Sequence, residues 1–358
     1  MSKLLIELIN ATLCKRPLNE KVFERAIEAD WQRCFDMALQ QNVLAMTFPA
    51  MSSLPKELRP SFTLWSKWMA YSQSIAEQSQ YKRQVVEKMG AWLAEEKLTT
   101  TILKGFSLSA LYPNPNLREF SDIDIFSGSD YEAVNACFSK HGVKVDSVDG
   151  HHAYLKVDGI SVEHHFAFSN TKVKDGLGGP EEELQRLVVS DPQPTSIPGI
   201  NFPNSVFTAL FVGWHAYEHF LQEKIELRHV IDWALSLRQL TELEAETLNE
   251  IKRNTGWGNF CDTLTAIAIR QLGLPQDWFH ETEQVAVEQE QQVWNDIIKA
   301  SRTAKSKSSN LRRIYIAKRM LKNSWKFKDY SNISATQLLI KETIGHFKTI
   351  NLKTDYKQ

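Results

Sequence analysis

Residues 121–126 read Ser121-Asp122-Ile123-Asp124-Ile125-Phe126. Polar and apolar residues alternate with a period of two, which predicts a β-strand. Asp122 and Asp124 then project from one face while Ile123 and Ile125 cover the other. Two carboxylates held side by side repel unless a cation sits between them. Oxygen ligands of this kind suit Mg²⁺ or Mn²⁺. A lone pair of this spacing also occurs in ordinary surface strands and turns, so its meaning depends on its surroundings.

Upstream, Lys104-Gly105-Phe106-Ser107 lies where a strand over Thr99–Leu103 gives way to a short helix over Ser107–Tyr112, closed by Pro113. A glycine there lets backbone N–H groups approach a phosphate, and a helix start favours an anion. Lys104 adds a mobile positive charge. Arg118, four residues before Asp122, is placed to clamp a phosphate. Each of these is also an ordinary turn or loop feature when met alone. Downstream stands Ile160-Ser161-Val162-Glu163-His164-His165-Phe166. Ile160, Val162, His164 and Phe166 share one face of a strand, and Ser161, Glu163 and His165 share the other. Glu163 can thus face the aspartates from a neighbouring strand. His165 shares its face and can meet phosphate or acceptor. Three carboxylates on adjacent strands, opposite a glycine turn, suit two-metal phosphoryl transfer. That chemistry rests on positioning and charge neutralisation.

Working outward, the chain divides by periodicity. Residues 1–96 form an N-terminal helical region with apolar residues at three- and four-residue spacing, as in Phe23, Ala26, Ile27 and Trp31. Residues 97–170 form an α/β domain. Its further strands are expected at Val143–Val148, Ala153–Val157 and Ile160–Phe168, with a helix over Asp130–His141. Asp158-Gly159 is a hairpin signal. Residues 171–275 return to helix, with candidates at Asn204–Leu221, Ile225–Leu240, Glu242–Asn254 and Asn259–Leu272. Residues 276–358 form a C-terminal helical region polarised in charge.

The 358 residues are 42% hydrophobic with a net charge of −1. That is ample material for a core and no global commitment to nucleic acid. Cys14, Cys34, Cys137 and Cys261 are far apart and form no CxxC pair, which predicts reduced thiols in a cytoplasmic protein. No apolar run reaches transmembrane length, so no membrane span is expected.

The run Leu103-Lys104-Gly105, Leu111-Tyr112-Pro113, Arg118, Ser121-Asp122-Ile123-Asp124-Ile125 and Val162-Glu163-His164-His165 resembles the uncharacterised nucleotidyltransferase family of the DNA polymerase β-like superfamily. Trp214-His215, His219, Leu227-Arg228-His229 and Asp232 are similar to that family's helical region. The resemblance spans about residues 30–270. It implies an α+β fold: a nucleotidyltransferase-like mixed β-sheet domain with flanking helices, embedded between N-terminal and C-terminal helical regions. It implies a nucleoside triphosphate (NTP) donor, an acceptor and two divalent ions, Mg²⁺ or Mn²⁺. Asp122 and Asp124 would be metal ligands. Glu163 would be the third carboxylate, ligating the catalytic metal and orienting the acceptor hydroxyl. Gly105 and Ser107 would lie near the β,γ-phosphates, with Lys104, Arg118 and His165 completing the nucleotide site. The turn reads Lys-Gly where the superfamily has Gly-Ser or Gly-Gly. That departure leaves a second expectation open, a nucleotide-binding protein without catalysis.

His151-His152, His164-His165, His215 and His219 invite a zinc reading, and His215 and His219 have the i,i+4 spacing that chelates from a helix. No glutamate follows His215, so the HExxH signature is absent. Packed helical histidines are the commoner arrangement. Arg302–Lys328 holds ten Lys or Arg residues with Tyr315, Trp325 and Phe327 among them. Such a stretch can hold nucleic acid. Docking on the acidic 281–296 segment is the favoured expectation.

Overall fold

Four α-helices precede the first strand: α1 (Lys3–Cys14), α2 (Glu28–Gln40), α3 (Leu44–Ser53) and α4 (Phe62–Glu95). These come from a computed structural model that describes residues 3–168, 179–280, 284–299 and 317–340. Helix α4 has 34 residues, about 51 Å at 1.5 Å per residue. The Ser61 side chain caps it by accepting from the Leu64 amide. Its first half packs Leu64 and Trp68 into a helical core. Its second half packs Val85, Val86, Met89 and Leu93 against the sheet. The N-terminal helices therefore share the sheet's packing.

The sheet has seven strands: β1 (Thr100–Ile102), β2 (Ile123–Phe126), β3 (Val145–Asp149), β4 (His152–Val157), β5 (Ile160–His165), β6 (Gln193–Pro194) and β7 (Ile200–Phe202). Their order is β3-β4-β5-β2-β1-β7-β6. Strands β2 and β5 run parallel, as do β1 and β7, and the other neighbours are antiparallel. The architecture is α+β with a mixed sheet, as the sequence predicts. The Asp158-Gly159 turn joins β4 to β5 with φ of 48° and 81°, the two left-handed residues a tight hairpin requires. The expected sheet segment at 97–170 stops short of β6 and β7. Those strands have two and three residues, too few to show a period.

Ile123, Ile125, Leu155 and Val162 line one face of the sheet. That face packs on α4 and α6 (Tyr131–Lys140), which contributes Val134, Cys137 and Phe138. The opposite face carries Asp124, Phe126, Glu163 and His165. It looks toward the helical layer, where α8 (Ser205–Gln222) brings Phe207 and Phe211. That layer also contains α7 (Glu181–Ser190), α9 (Leu227–Leu237), α10 (Glu242–Thr255) and α11 (Gly258–Arg270). Asn10 ties the layer to α1 by donating to the carbonyls of Leu272 and Gly273, at 3.0 and 2.6 Å.

Part of the C-terminal region docks through α12 (Val287–Ile298) and α13 (Ser324–Tyr330). Lys326 is buried, pairs with Asp296 at 2.6 Å and donates to the Phe220 carbonyl at 2.9 Å. The rest of the basic stretch, 302–316, lies outside the described residues. Cys34, Cys137 and Cys261 are buried and Cys14 is half-buried, and none of the four forms a disulfide among the described residues. Among the described residues no helix is long and apolar enough to cross a membrane.

At Gly90, α4 comes against the turn before β7. A Cβ built there would stand 2.5 Å from the Pro198 carbonyl oxygen and 2.8 Å from Ile197. Gly90→Ala is expected to destabilise the protein by about 1–3 kcal/mol, read as a lower urea-unfolding midpoint. An unchanged midpoint would remove this contact as a constraint.

Candidate active site

Parallel pairing sets the site. Asp124 on β2 stands in register with Glu163 on β5, and Phe126 with His165. Because side chains alternate, Asp124, Glu163 and His165 project from one face while Ile125 and His164 project from the other. One ligating atom from each of Asp124, Glu163 and His165 lies within 4.8 Å of those of the other two. Asp122 precedes β2 and is half-buried; Ser121 donates to its carboxylate at 3.0 Å.

The Asp124 side chain is 0% exposed. Lys104 Nζ lies 3.1 Å from its Oδ1, and His165 Nε2 donates to the same oxygen at 2.9 Å. Asp124 Oδ2 is buried and has no hydrogen-bond partner. Burial disfavours charge on Lys104, but Asp124, Glu163 and Asp122 outweigh it and hold the ammonium above its ordinary pKa. His165 behaves alike: burial lowers it, while contacts with Asp124 and Glu163 raise it. Its Nδ1 donates to the Ala167 carbonyl at 3.2 Å. Both ring nitrogens thus face oxygen acceptors, which a doubly protonated ring satisfies in full. Burial raises the Glu163 carboxyl, yet His165 and Lys104 bring it below the usual range.

The glycine turn sits directly over Asp122. Gly105 has φ of 73°, and a Cβ there would stand 3.3 Å from the Asp122 carbonyl oxygen and 3.3 Å from the Phe120 ring. It leads into α5 (Phe106–Ser109). The Ser107 hydroxyl is buried without a hydrogen-bond partner.

Arg118 is placed differently from a phosphate clamp on a loop. It is 3% exposed. Its Nε and Nη2 donate to the two Asp232 carboxylate oxygens, both at 2.8 Å, and its Nη1 donates to the Gly105 carbonyl at 2.9 Å. The Tyr112 hydroxyl donates to Asp232 at 2.7 Å. The guanidinium is bound within the protein, where it braces the turn.

The structure adds Lys82 and Phe211, which local sequence features did not single out, and gives the histidines their places. Lys82 on α4 is buried, donates to the Phe120 carbonyl and lies 4.3 Å from the Phe120 ring centre. Burial lowers its pKa, partly countered by Asp122. His152 on β4 is the cross-strand partner of His165. From the helical layer, Phe211 lies under Lys104, 5.5 Å from Nζ to ring centre. His215 and His219 have ring centres 4.5 Å apart, and His219 lies 5.7 Å from His229. Burial holds His215 and His229 well below the ordinary histidine value.

The fold and the site together define an α+β protein that gathers acidic side chains, a lysine and a histidine on one face of a mixed sheet. The family follows from the sequence match: residues 28–273 fit the model of the uncharacterised nucleotidyltransferase family, and the chain belongs to it. No curated protein matches the chain. Two solved structures of the antibiotic-resistance factor ANT(2'')-Ia are similar to part of it. The solution structure covers 49% of this chain and 92% of its own at 13% identity and TM-score 0.37. The crystal structure with adenylyl-2''-tobramycin covers 49% and 95% at 11% identity and TM-score 0.34.

The buried Arg118–Asp232 pair makes a stability prediction. Asp232→Asn leaves the guanidinium without its counter-charge and is expected to cost about 3–5 kcal/mol. Burial alone would raise the Asp232 carboxyl, but Arg118 holds it below the usual range. A depressed folded value means the pair's contribution is complete above the ordinary aspartate value of about 4 and is lost as pH falls below it. Urea titrations of both forms from neutral to acid pH should converge at the acid end; parallel curves would refute the pairing.

Proposed function

We propose that the protein transfers a nucleoside monophosphate from an NTP to a hydroxyl acceptor, releasing pyrophosphate. The family assignment supports nucleotidyl transfer as a class. The observation that carries the detailed reading is Asp124 Oδ2, a fully buried carboxylate oxygen without a partner, on a residue that clusters with Glu163 and His165. Such an atom costs about 1–3 kcal/mol unless something binds it. A divalent cation fits the donor set, and Asp122, Asp124 and Glu163 would hold it. When bound, Mg²⁺ or Mn²⁺ neutralises phosphate charge and makes an acceptor hydroxyl more acidic.

The protein's own groups supply the rest. Gly105 keeps the turn free of side-chain bulk above Asp122, so a triphosphate can approach the backbone. Ser107 offers an uncommitted hydroxyl. Lys104, already cationic beside Asp124, can turn to an incoming phosphate oxygen. His165 and Lys104 keep Glu163 ionised and ready to accept a hydrogen bond from the acceptor hydroxyl. Arg118 acts by fixing the Gly105 carbonyl. Phe211 and its neighbours on α8 exclude water from this face.

The test is transfer of label from ATP, GTP, CTP or UTP, with Mg²⁺ or Mn²⁺, to a panel of hydroxyl acceptors. Asp124→Asn is expected to lower kcat by roughly a hundredfold or more, as expected when several kcal/mol of charge stabilisation are lost. Full activity in that variant would end the assignment.

One observation favours a second reading, a nucleotide-binding protein without turnover. Lys104 already sits 3.1 Å from Asp124, so the cluster is partly neutralised by the chain itself. Calorimetric titration with NTP and Mg²⁺ separates the two. Tight binding with no transfer to any acceptor would favour the second.

A further inference from the structure

His152 is 5% exposed, and neither of its ring nitrogens has a hydrogen-bond partner. A buried imidazole in that condition is costly and points to something that binds it. His152 stands opposite His165 in the β4–β5 ladder. His151 precedes it in the turn after β3, and its carbonyl accepts from the amides of Phe166 and Ala167 at 3.0 and 3.1 Å. The turn is thereby pinned beside β5. Ring centres of His151 and His165 are 5.5 Å apart, and those of His152 and His165 are 5.0 Å apart. One nitrogen from each of the three lies within 4.8 Å of those of the other two.

We propose that His151, His152 and His165 form a three-imidazole site for a borderline transition-metal ion of the Zn²⁺ or Co²⁺ class, adjoining the carboxylate cluster. Imidazole nitrogens suit such ions, whereas Mg²⁺ prefers oxygen. Three histidines with an open fourth position are a known zinc arrangement. Tetrahedral ligation at about 2.0–2.1 Å places nitrogens roughly 3.4 Å apart, a small contraction for three rotatable side chains. The carbonyl of Ala167 holds Nδ1–H of His165, which leaves Nε2 as that ring's ligating nitrogen. Glu163 stands at 3.8 Å from His152 Nε2 and 3.7 Å from His165 Nε2. It can orient both rings or take the fourth position. Because His165 also touches Asp124, an ion here would be coupled to the neighbouring carboxylates.

The test uses the full chain stripped with chelator and titrated calorimetrically with Zn²⁺ in excess Mg²⁺, without nucleotide. The visible spectrum of Co²⁺ reports the ligand type in parallel. Wild type is expected to take up one Zn²⁺, with a tetrahedral Co²⁺ spectrum. His152→Gln and His151→Gln are each expected to bind Zn²⁺ roughly tenfold or more weakly. His141→Gln, an exposed histidine after α6 and outside the three-imidazole set, is expected to bind as wild type does. His151 is half-buried, so its variant serves where His152→Gln does not fold by circular dichroism. Unchanged affinity in the histidine variants, or complete displacement of Zn²⁺ by Mg²⁺, would overturn the proposal. The readout contains no nucleotide, so it is independent of the transfer reaction.

Discussion

A carboxylate with no solvent exposure dominates this structure. Moving an isolated charge such as Asp124 out of water costs many kcal/mol unless opposite charge and hydrogen bonds replace the solvent. Lys104 and His165 meet on its Oδ1, and Glu163 adds a second acid nearby. The site therefore sets a lysine and a histidine against its acids. Both are mobile in principle, one as a long ammonium chain and one as a ring that can lose a proton. A divalent ion can replace them without rebuilding the backbone, because the strand register holds the carboxylates.

Which side chains share a face was legible in the sequence. Alternation in Asp122-Ile123-Asp124-Ile125 and in Ile160–Phe166 is a local property with a period of two, and it fixes which residues share a face. The parallel pairing of β2 with β5 then places Asp124 opposite Glu163. His165 could be assigned to the same face by parity alone. The hairpin at Asp158-Gly159 was readable because only a few residue types tolerate left-handed backbone there.

Other features depend on contacts that no local pattern encodes. Lys82 lies within a long amphipathic helix, and nothing around it distinguishes it from a solvated lysine until α4 meets Phe120. Strands β6 and β7 are too short to show alternation, and they exist because β1 offers an edge. The sequence suggests a phosphate clamp at Arg118 because its partner, Asp232, lies 114 residues away. His152 has a similar history: its neighbour His151 made the pair conspicuous, but only the β4–β5 ladder brings it against His165.

Arg118 also explains how the helical layer reaches the site. Its guanidinium holds Asp232 on α9 with two bonds and the Gly105 carbonyl with a third. Planar, multiply bonded arginine is stiff in a way that lysine is not. Gly105 itself adopts φ of 73° at little cost, since it has no Cβ. Its turn can therefore be set by the bond from Arg118 rather than by its own preferences. The Asp122 carbonyl lies where a side chain at position 105 would crowd it, so the turn braced from α9 packs closely on the start of β2. A sheet that presents acids and a helix that braces the turn beside them are thus one mechanical unit, joined through the buried Arg118–Asp232 ion pair.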